Sequence, residues 1–241
     1  MQEERTRIVL TIENGYVIVT DSTADLTQTI VQDLGILVLP MEYILDGTVC
    51  HYAPTDDESD ITAFYQALKG GKMAQTSQVS PMTYYAYFRP ILERGQDILY
   101  IAFSSGLSAT YETACQVIAE LQKEFPQRRI LAVDSLCASA GEGLLVYAAA
   151  QKQKQGLDME TLYQWLLQNR LHLCHWFTVD DLAFLKRGGR ISASTAMVGD
   201  ILQIKPVMHV DDAGHLVPVS KAHGRKKSLH ALAQAMQKSC I

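Results

Sequence analysis

Apolar and polar stretches alternate along the chain with a rhythm that changes near residue 170. Tyr16–Thr20 is a short β-rich run, followed by the polar turn Asp21-Ser22-Thr23 and an amphipathic stretch from Leu26 to Leu34. This reads as strand, capped turn and helix. Ile36–Leu39 is a second apolar run that ends at Pro40. Tyr43–Leu45 and Thr48–Cys50 flank Asp46-Gly47, a hairpin signature. A helix is predicted over Asp60–Lys69, stopped by Gly70-Gly71, and another begins at Pro81, where proline is tolerated in the first turn. Asp97–Phe103 predicts a buried strand, Ser104–Ser108 a turn, and Ala109–Lys123 a long helix. Ile130–Val133, the turn Asp134–Ser139 and helices over Gly141–Gln155 and Leu157–Asn169 continue the pattern. Strands separated by helices predict a parallel sheet covered on both faces. The turns after Thr20, Phe103 and Val133 would gather at its carboxyl edge, where open α/β sheets bind ligands.

Beyond Leu173 the rhythm differs. Trp176–Val179 reads as a strand, Asp180–Leu185 as a short helix and Lys186–Arg190 as a basic glycine turn. Val207–Val210 and Leu216–Val219, joined by Asp211–Gly214, predict an antiparallel hairpin, with a closing helix over Ser228–Gln237. The expected architecture is two α/β domains, residues 1–169 with a mainly parallel sheet and residues 170–241 with a smaller mixed sheet.

Composition narrows the function classes. The 241 residues are 48% hydrophobic and 20% charged, ordinary for a folded chain that buries a core. A net charge of −5 argues against a nucleic-acid partner, which basic faces bind. Without an apolar run of membrane-spanning length, or an apolar segment behind the charged Met1–Arg7, stable membrane insertion and a signal peptide are not expected. The five cysteines are scattered and lack C-x-x-C spacing, which points to a reduced, cytoplasmic setting without a disulfide framework or zinc site. His172-x-x-His175 with Cys174 is the one local metal-like cluster, and no metal or cofactor is expected from it.

Three polar turns carry candidate chemistry. Thr76-Ser77-Gln78 offers three hydrogen-bonding side chains ahead of a helix, or plain turn and cap chemistry. Ser104-Ser105-Gly106-Leu107-Ser108 leads into a long helix, whose free N–H groups and dipole favour an anion; Ser108 could equally serve as a cap. Gly106 to Thr110 also approaches the G-x-S-x-G elbow of hydrolases, with Thr110 in place of the last glycine. A serine esterase using Ser108 is the alternative reading, and it would need Asp134 and a histidine. A phosphate or nucleotide binder ranks lowest, because both glycine-rich phosphate motifs are absent. Asp21 and Asp134, each closing a strand, are read mainly as acceptors for loop N–H groups. Lys186–Ser192 and His223–Lys227 are basic clusters suited to a phosphate or acidic partner, or to solvent.

V-T-D-S-T-A-D-L at Val19–Leu26, T-S-Q at Thr76–Gln78 and S-S-G-L-S-A-T-Y at Ser104–Tyr111 are followed by D-S at Asp134-Ser135. L-K-R-G-G-R-I-S at Leu185–Ser192 and K-P-V at Lys205–Val207 complete the set. In this order the motifs resemble the DegV family of bacterial fatty-acid-binding proteins. The resemblance implies two α/β domains around a buried long-chain fatty acid such as palmitate, stearate or oleate, and no chemistry of the chain's own. It implies that the hydroxyls of Thr76 and Ser108 hold the carboxylate, with Ser77, Gln78, Ser104, Ser105 and Gly106 lining the same site. It assigns Arg190 and Arg225 to the side of a partner or phosphate. That partner would be a fatty acid kinase, whose acyl phosphate product enters phospholipid synthesis. Family members run some tens of residues further, to a glycine-rich segment with a histidine near the carboxylate, which no histidine here matches. The first fifteen residues have no counterpart in the motif set.

Overall fold

The computed structural model describes residues 15–55, 57–191 and 204–239. Strand β1 (Tyr16–Asp21) is buried along its whole length. Its neighbours are β2 (Leu37–Leu39) and β6 (Asp97–Ala102), and β7 (Ile130–Asp134) lies outside β6, giving the parallel order β2-β1-β6-β7. A strand covered on both faces needs apolar side chains at consecutive positions. Tyr16 and Ile18 point into one core layer, with α1 (Gln28–Leu34), α5 (Ser139–Lys154) and α6 (Met159–Asn169). Val17 and Val19 point into the other, with α3 (Pro81–Glu93) and α4 (Thr110–Glu124). The mainly parallel, helix-covered sheet is therefore present.

Local chemistry sets the helix ends. Thr27 accepts from Ile30 N–H, Ser80 from Thr83 N–H and Asp158 from Thr161 N–H, each meeting an unpaired first-turn donor. Gly35, at φ 70°, closes α1 in the left-handed region that glycine enters without strain. Pro81 opens α3, as its position in the sequence predicts.

Two smaller sheets flank the parallel one. In the first, β3 (Met41–Leu45) pairs antiparallel with both β4 (Thr48–Tyr52) and β5 (Ala74–Thr76). The β3–β4 hairpin was expected; β5 corrects the reading of Thr76 as part of a turn, because Thr76 pairs with Tyr43 at a strand end. Helix α2 (Glu58–Lys69) connects β4 to β5 and ends at Gly70. The second small sheet has the order β10-β9-β8, with β8 at Trp176–Phe177, β9 at Ile204–Val210 and β10 at Leu216–His223. It is antiparallel at both pairings rather than mixed.

Helix α7 is displaced from the predicted span, to Ala183–Arg187, because Asp181 accepts from the Ala183 N–H at 2.7 Å and fixes the first turn there. Lys186 and Arg187 thus end a helix, and the glycine turn is confined to 188–190. The closing helix α8 spans Arg225–Ser239, three residues earlier at its start than predicted. Ser192 and the first fourteen residues, both part of the sequence reading, lie outside the described residues.

Candidate functional site

The carboxyl edge of the parallel sheet is organised by two aspartates. Asp21 Oδ2 ends β1 and accepts from the Phe103 N–H at 3.2 Å and the Tyr100 hydroxyl at 2.9 Å. Asp134 Oδ1 ends β7 and accepts from the N–H groups of Ser105 and Leu136, each at 3.1 Å, while Oδ2 receives the Ser105 hydroxyl. Both side chains thus satisfy loop donors that burial would otherwise strand, as the sequence suggests. The strand order reverses direction between β1 and β6, so the loop after β6 sits at the topological switch of the sheet.

That loop is Phe103–Ala109. Ser104 is fully buried, and its hydroxyl donates to the Gly214 carbonyl at 2.9 Å while accepting from the Gly106 N–H at 3.1 Å. Gly214 lies in the β9–β10 turn, so a connection far along the chain rests on this loop. A Cβ at Gly106 would fall 2.7 Å from the Ala213 carbonyl oxygen, which explains the glycine by close backbone approach. Ser105 is taken up by Asp134.

Ser108 is half-buried. Its Oγ accepts from the Thr110 N–H at 3.3 Å and lies 2.9 Å from Thr110 Oγ1. Among the described residues no histidine hydrogen-bonds to it. Thr110, fully buried, also accepts from the Val79 N–H at 3.4 Å, and Gln78 Nε2 donates to Thr113 Oγ1 at 2.8 Å. These two bonds join the Thr76–Val79 segment to the first turns of α4. Thr76 is exposed at the end of β5, and three extended residues span at most about 10 Å to Val79. Ser77 is anchored to the Glu42 carbonyl through both its N–H and its hydroxyl, at 3.3 and 3.2 Å. Thr76, Ser77, Gln78, Ser104, Ser105, Gly106 and Ser108 therefore belong to two segments linked at one edge of the sheet.

The two arginines lie elsewhere. Arg190 donates to the Gly188 carbonyl, and Arg225 pairs with Asp180, which also meets Lys205 Nζ at 3.2 Å. These salt bridges hold the Asp180 carboxyl below the ordinary range.

Beneath the edge sits a buried acid pair that the sequence reading missed. Thr23 Oγ1 lies between Asp21 Oδ1 and Glu142 Oε2, and Thr20 Oγ1 between the Ile101 carbonyl and Glu142 Oε1, at 2.9 and 3.2 Å. Each threonine hydroxyl has one proton for two acceptor oxygens, so a neutral Glu142 supplies a missing donor. Burial first, and the Asp21 charge second, push the Glu142 carboxyl well above its ordinary value. The same network runs through Tyr100 to the Tyr84 hydroxyl, 3.1 Å away, which donates to the Thr110 carbonyl at 3.0 Å. Tyr84 and Glu142 gave no sequence signal beyond residue type, and Thr110 stood out only within its motif, because only the fold brings the three together.

Two concavities among the described residues lie toward the β8–β10 sheet. One, of about 190 Å³, is lined by residues including Arg170, His175, His209 and Asp211. The other, of about 260 Å³, lies between β9, β10 and α8, with Trp176 and Lys238 on its rim. Neither is lined by Thr76 or Ser108. Among the described residues no group of His, Cys, Asp and Glu could hold a metal ion, and no helix is long and apolar enough to cross a membrane.

A family model described as an uncharacterised protein of the DegV family matches residues 16–240. A DegV domain-containing protein of Clostridium perfringens is 44% identical over 226 residues, covering 94% of this chain and 77% of the relative. Among solved structures, a DegV family protein from Thermus thermophilus, described by its fatty acid binding, superimposes with a TM-score of 0.78 at 31% identity. The match covers 93% of this chain and 77% of that one. A DegV lipid-binding protein from Thermotoga maritima gives a TM-score of 0.80 at 26% identity, with the same coverage.

Proposed function

Because this chain belongs to the DegV family, we propose that it binds one long-chain fatty acid, such as palmitate, stearate or oleate, and presents the carboxylate to a fatty acid kinase. It would act as a carrier, with Thr76 and Ser108 holding the carboxylate and Ser77, Gln78, Ser104, Ser105 and Gly106 shaping its surroundings. The observation that carries this reading is the joining of the Thr76–Val79 segment to the start of α4 through Val79–Thr110 and Gln78–Thr113. It puts two hydroxyl-bearing segments at the helix end where an anion is favoured. The fatty-acid and lipid binding described for the Thermus and Thermotoga relatives supports the choice of ligand.

The energetics suit the assignment. A palmitate tail has roughly 15 carbons beyond the carboxyl, and at ~0.8 kcal/mol each their burial is worth on the order of 12 kcal/mol. Part of this is lost in immobilising the ligand. An apolar tunnel then needs no strong charge pair at its mouth. Neutral hydroxyl and N–H donors offset the desolvation of the carboxylate while leaving it less tightly held than a bidentate arginine would. That suits an acid awaiting phosphorylation. Arg190 and Arg225 would face the kinase, from a second domain that begins near residue 170.

Native mass spectrometry of the protein as purified tests the ligand, with a mass increment of one fatty acid expected. Thr76→Ala combined with Ser108→Ala should abolish phosphorylation of the bound acid. Full-strength binding and phosphorylation in that double variant would remove the head-group assignment.

A further inference from the structure

The hydroxyl pair Ser108–Thr110 has a direction that proton accounting fixes. Thr110 Oγ1 is fully buried and accepts from the Val79 N–H, and Ser108 Oγ is the acceptor available to its own proton among the described residues. If Ser108 donated to Thr110 instead, the Thr110 proton would be buried without an acceptor, a costly arrangement. Thr110 therefore donates and Ser108 accepts. Ser108 Oγ also accepts from the Thr110 N–H, so both of its lone pairs are engaged. Its own proton is left to point away from Thr110, and Ser108 as a residue is only half-buried.

We infer that Thr110 is a positioning residue that makes Ser108 an obligatory donor, and thereby makes the head-group site select a carboxylate over an alcohol. This rests on the head-group assignment proposed above. A hydroxyl with free lone pairs can turn to satisfy either a donor or an acceptor; one with both lone pairs engaged serves an acceptor only, and does so best for an anion. A fatty alcohol gains the same tail burial but only a neutral hydrogen bond. Thr110 itself need not touch the ligand.

The test measures the affinity of delipidated protein for palmitate and for hexadecanol, by displacement of a fluorescent fatty acid. Wild type is expected to prefer palmitate. Thr110→Val should lower the palmitate-over-hexadecanol ratio about tenfold, the worth of one charge-assisted bond, with hexadecanol affinity nearly unchanged. Thr110→Ser should restore the ratio. Thr110→Val also leaves the Val79 N–H unpaired, so if it does not fold, Thr110→Cys, with a weakly donating thiol, is read instead and should show the same fall. Ser108→Ala should lower the ratio similarly, and combining it with Thr110→Val should add little. A folded Thr110 variant with an unchanged ratio overturns the inference. So does an equal loss for both ligands, which marks a merely structural role. Wild type that binds neither probe overturns the carrier reading itself, a result distinct from either.

Discussion

Gly106→Ala probes the contact between the loop after β6 and the β9–β10 turn. The added methyl would sit 2.7 Å from the Ala213 carbonyl oxygen and 2.9 Å from both the carbonyl carbon and oxygen of Gly214. All three are backbone atoms, so no side chain can swing aside. Relief requires the turn to withdraw by several tenths of an ångström. That movement lengthens the Ser104–Gly214 hydrogen bond, buried at 2.9 Å. Overpacking of this kind costs about 1–3 kcal/mol. Alanine also restricts the unfolded chain, which returns roughly 0.4–1 kcal/mol where the native backbone suits it. Gly106 does not have positive φ, so that gain applies. The balance is a net loss centred on ~1.3 kcal/mol, within a span of about 0–2.6 kcal/mol, at roughly 2–4 °C in Tm per kcal/mol for a chain of this size. Urea denaturation gives the first quantity and thermal unfolding the second. Gly188→Ala is the control: its added methyl meets nothing closer than 3.4 Å and its φ is negative, so stability should stay within about 0.5 kcal/mol of wild type. If Gly106→Ala is as stable as Gly188→Ala, the turn does not bear on the loop as described.

Other outcomes follow from the same edge. Asp134→Ala removes the acceptor for the Ser105 and Leu136 N–H groups and should cost about 1–3 kcal/mol, with faster amide exchange at both residues by NMR. Glu142 titrates above its ordinary value in the folded chain, so its contribution is fully present below the unfolded value and is lost as pH rises through the folded one. Glu142→Gln keeps donor and acceptor atoms toward Thr20 and Thr23. Denaturation above pH 4.5 should therefore show a shallower loss of stability with rising pH than wild type; an unchanged slope would mean that Glu142 is charged. Arg225→Gln breaks an exposed pair and should leave Tm unchanged, while reducing kinase-dependent phosphorylation of the bound acid.

Much of the fold was legible because the parallel sheet writes itself as contiguous apolar runs between capped helices: β1, β6 and β7 lie close to the runs at Tyr16, Asp97 and Ile130. The roles of Asp21 and Asp134 were legible too, since a carboxylate at a strand end faces loop donors. Strand β5 was not. Ala74-Gln75-Thr76 is three residues long and has no large apolar side chain, and it exists only because β3 offers an edge. The start of α7 was not legible either: Leu182 stands at its cap without a side-chain bond, and Asp180 is drawn to Lys205 and Arg225, far along the chain. At the candidate site, Ser108 and Thr76 stood out by motif, but the burial of Thr110 against Val79 is long-range information. The same holds for Gly106, whose neighbour in space is more than 100 residues away in sequence.

The bond from Ser104 to Gly214 spans 110 residues. During vectorial synthesis, every strand of the parallel sheet has left the ribosome long before Gly214 is made. The sheet can form first, with its switch-point loop still uncovered on one side. The β9–β10 tip arrives later and covers that wall, so a nascent chain interrupted before residue 214 would carry Ser104 without the carbonyl that its hydroxyl meets.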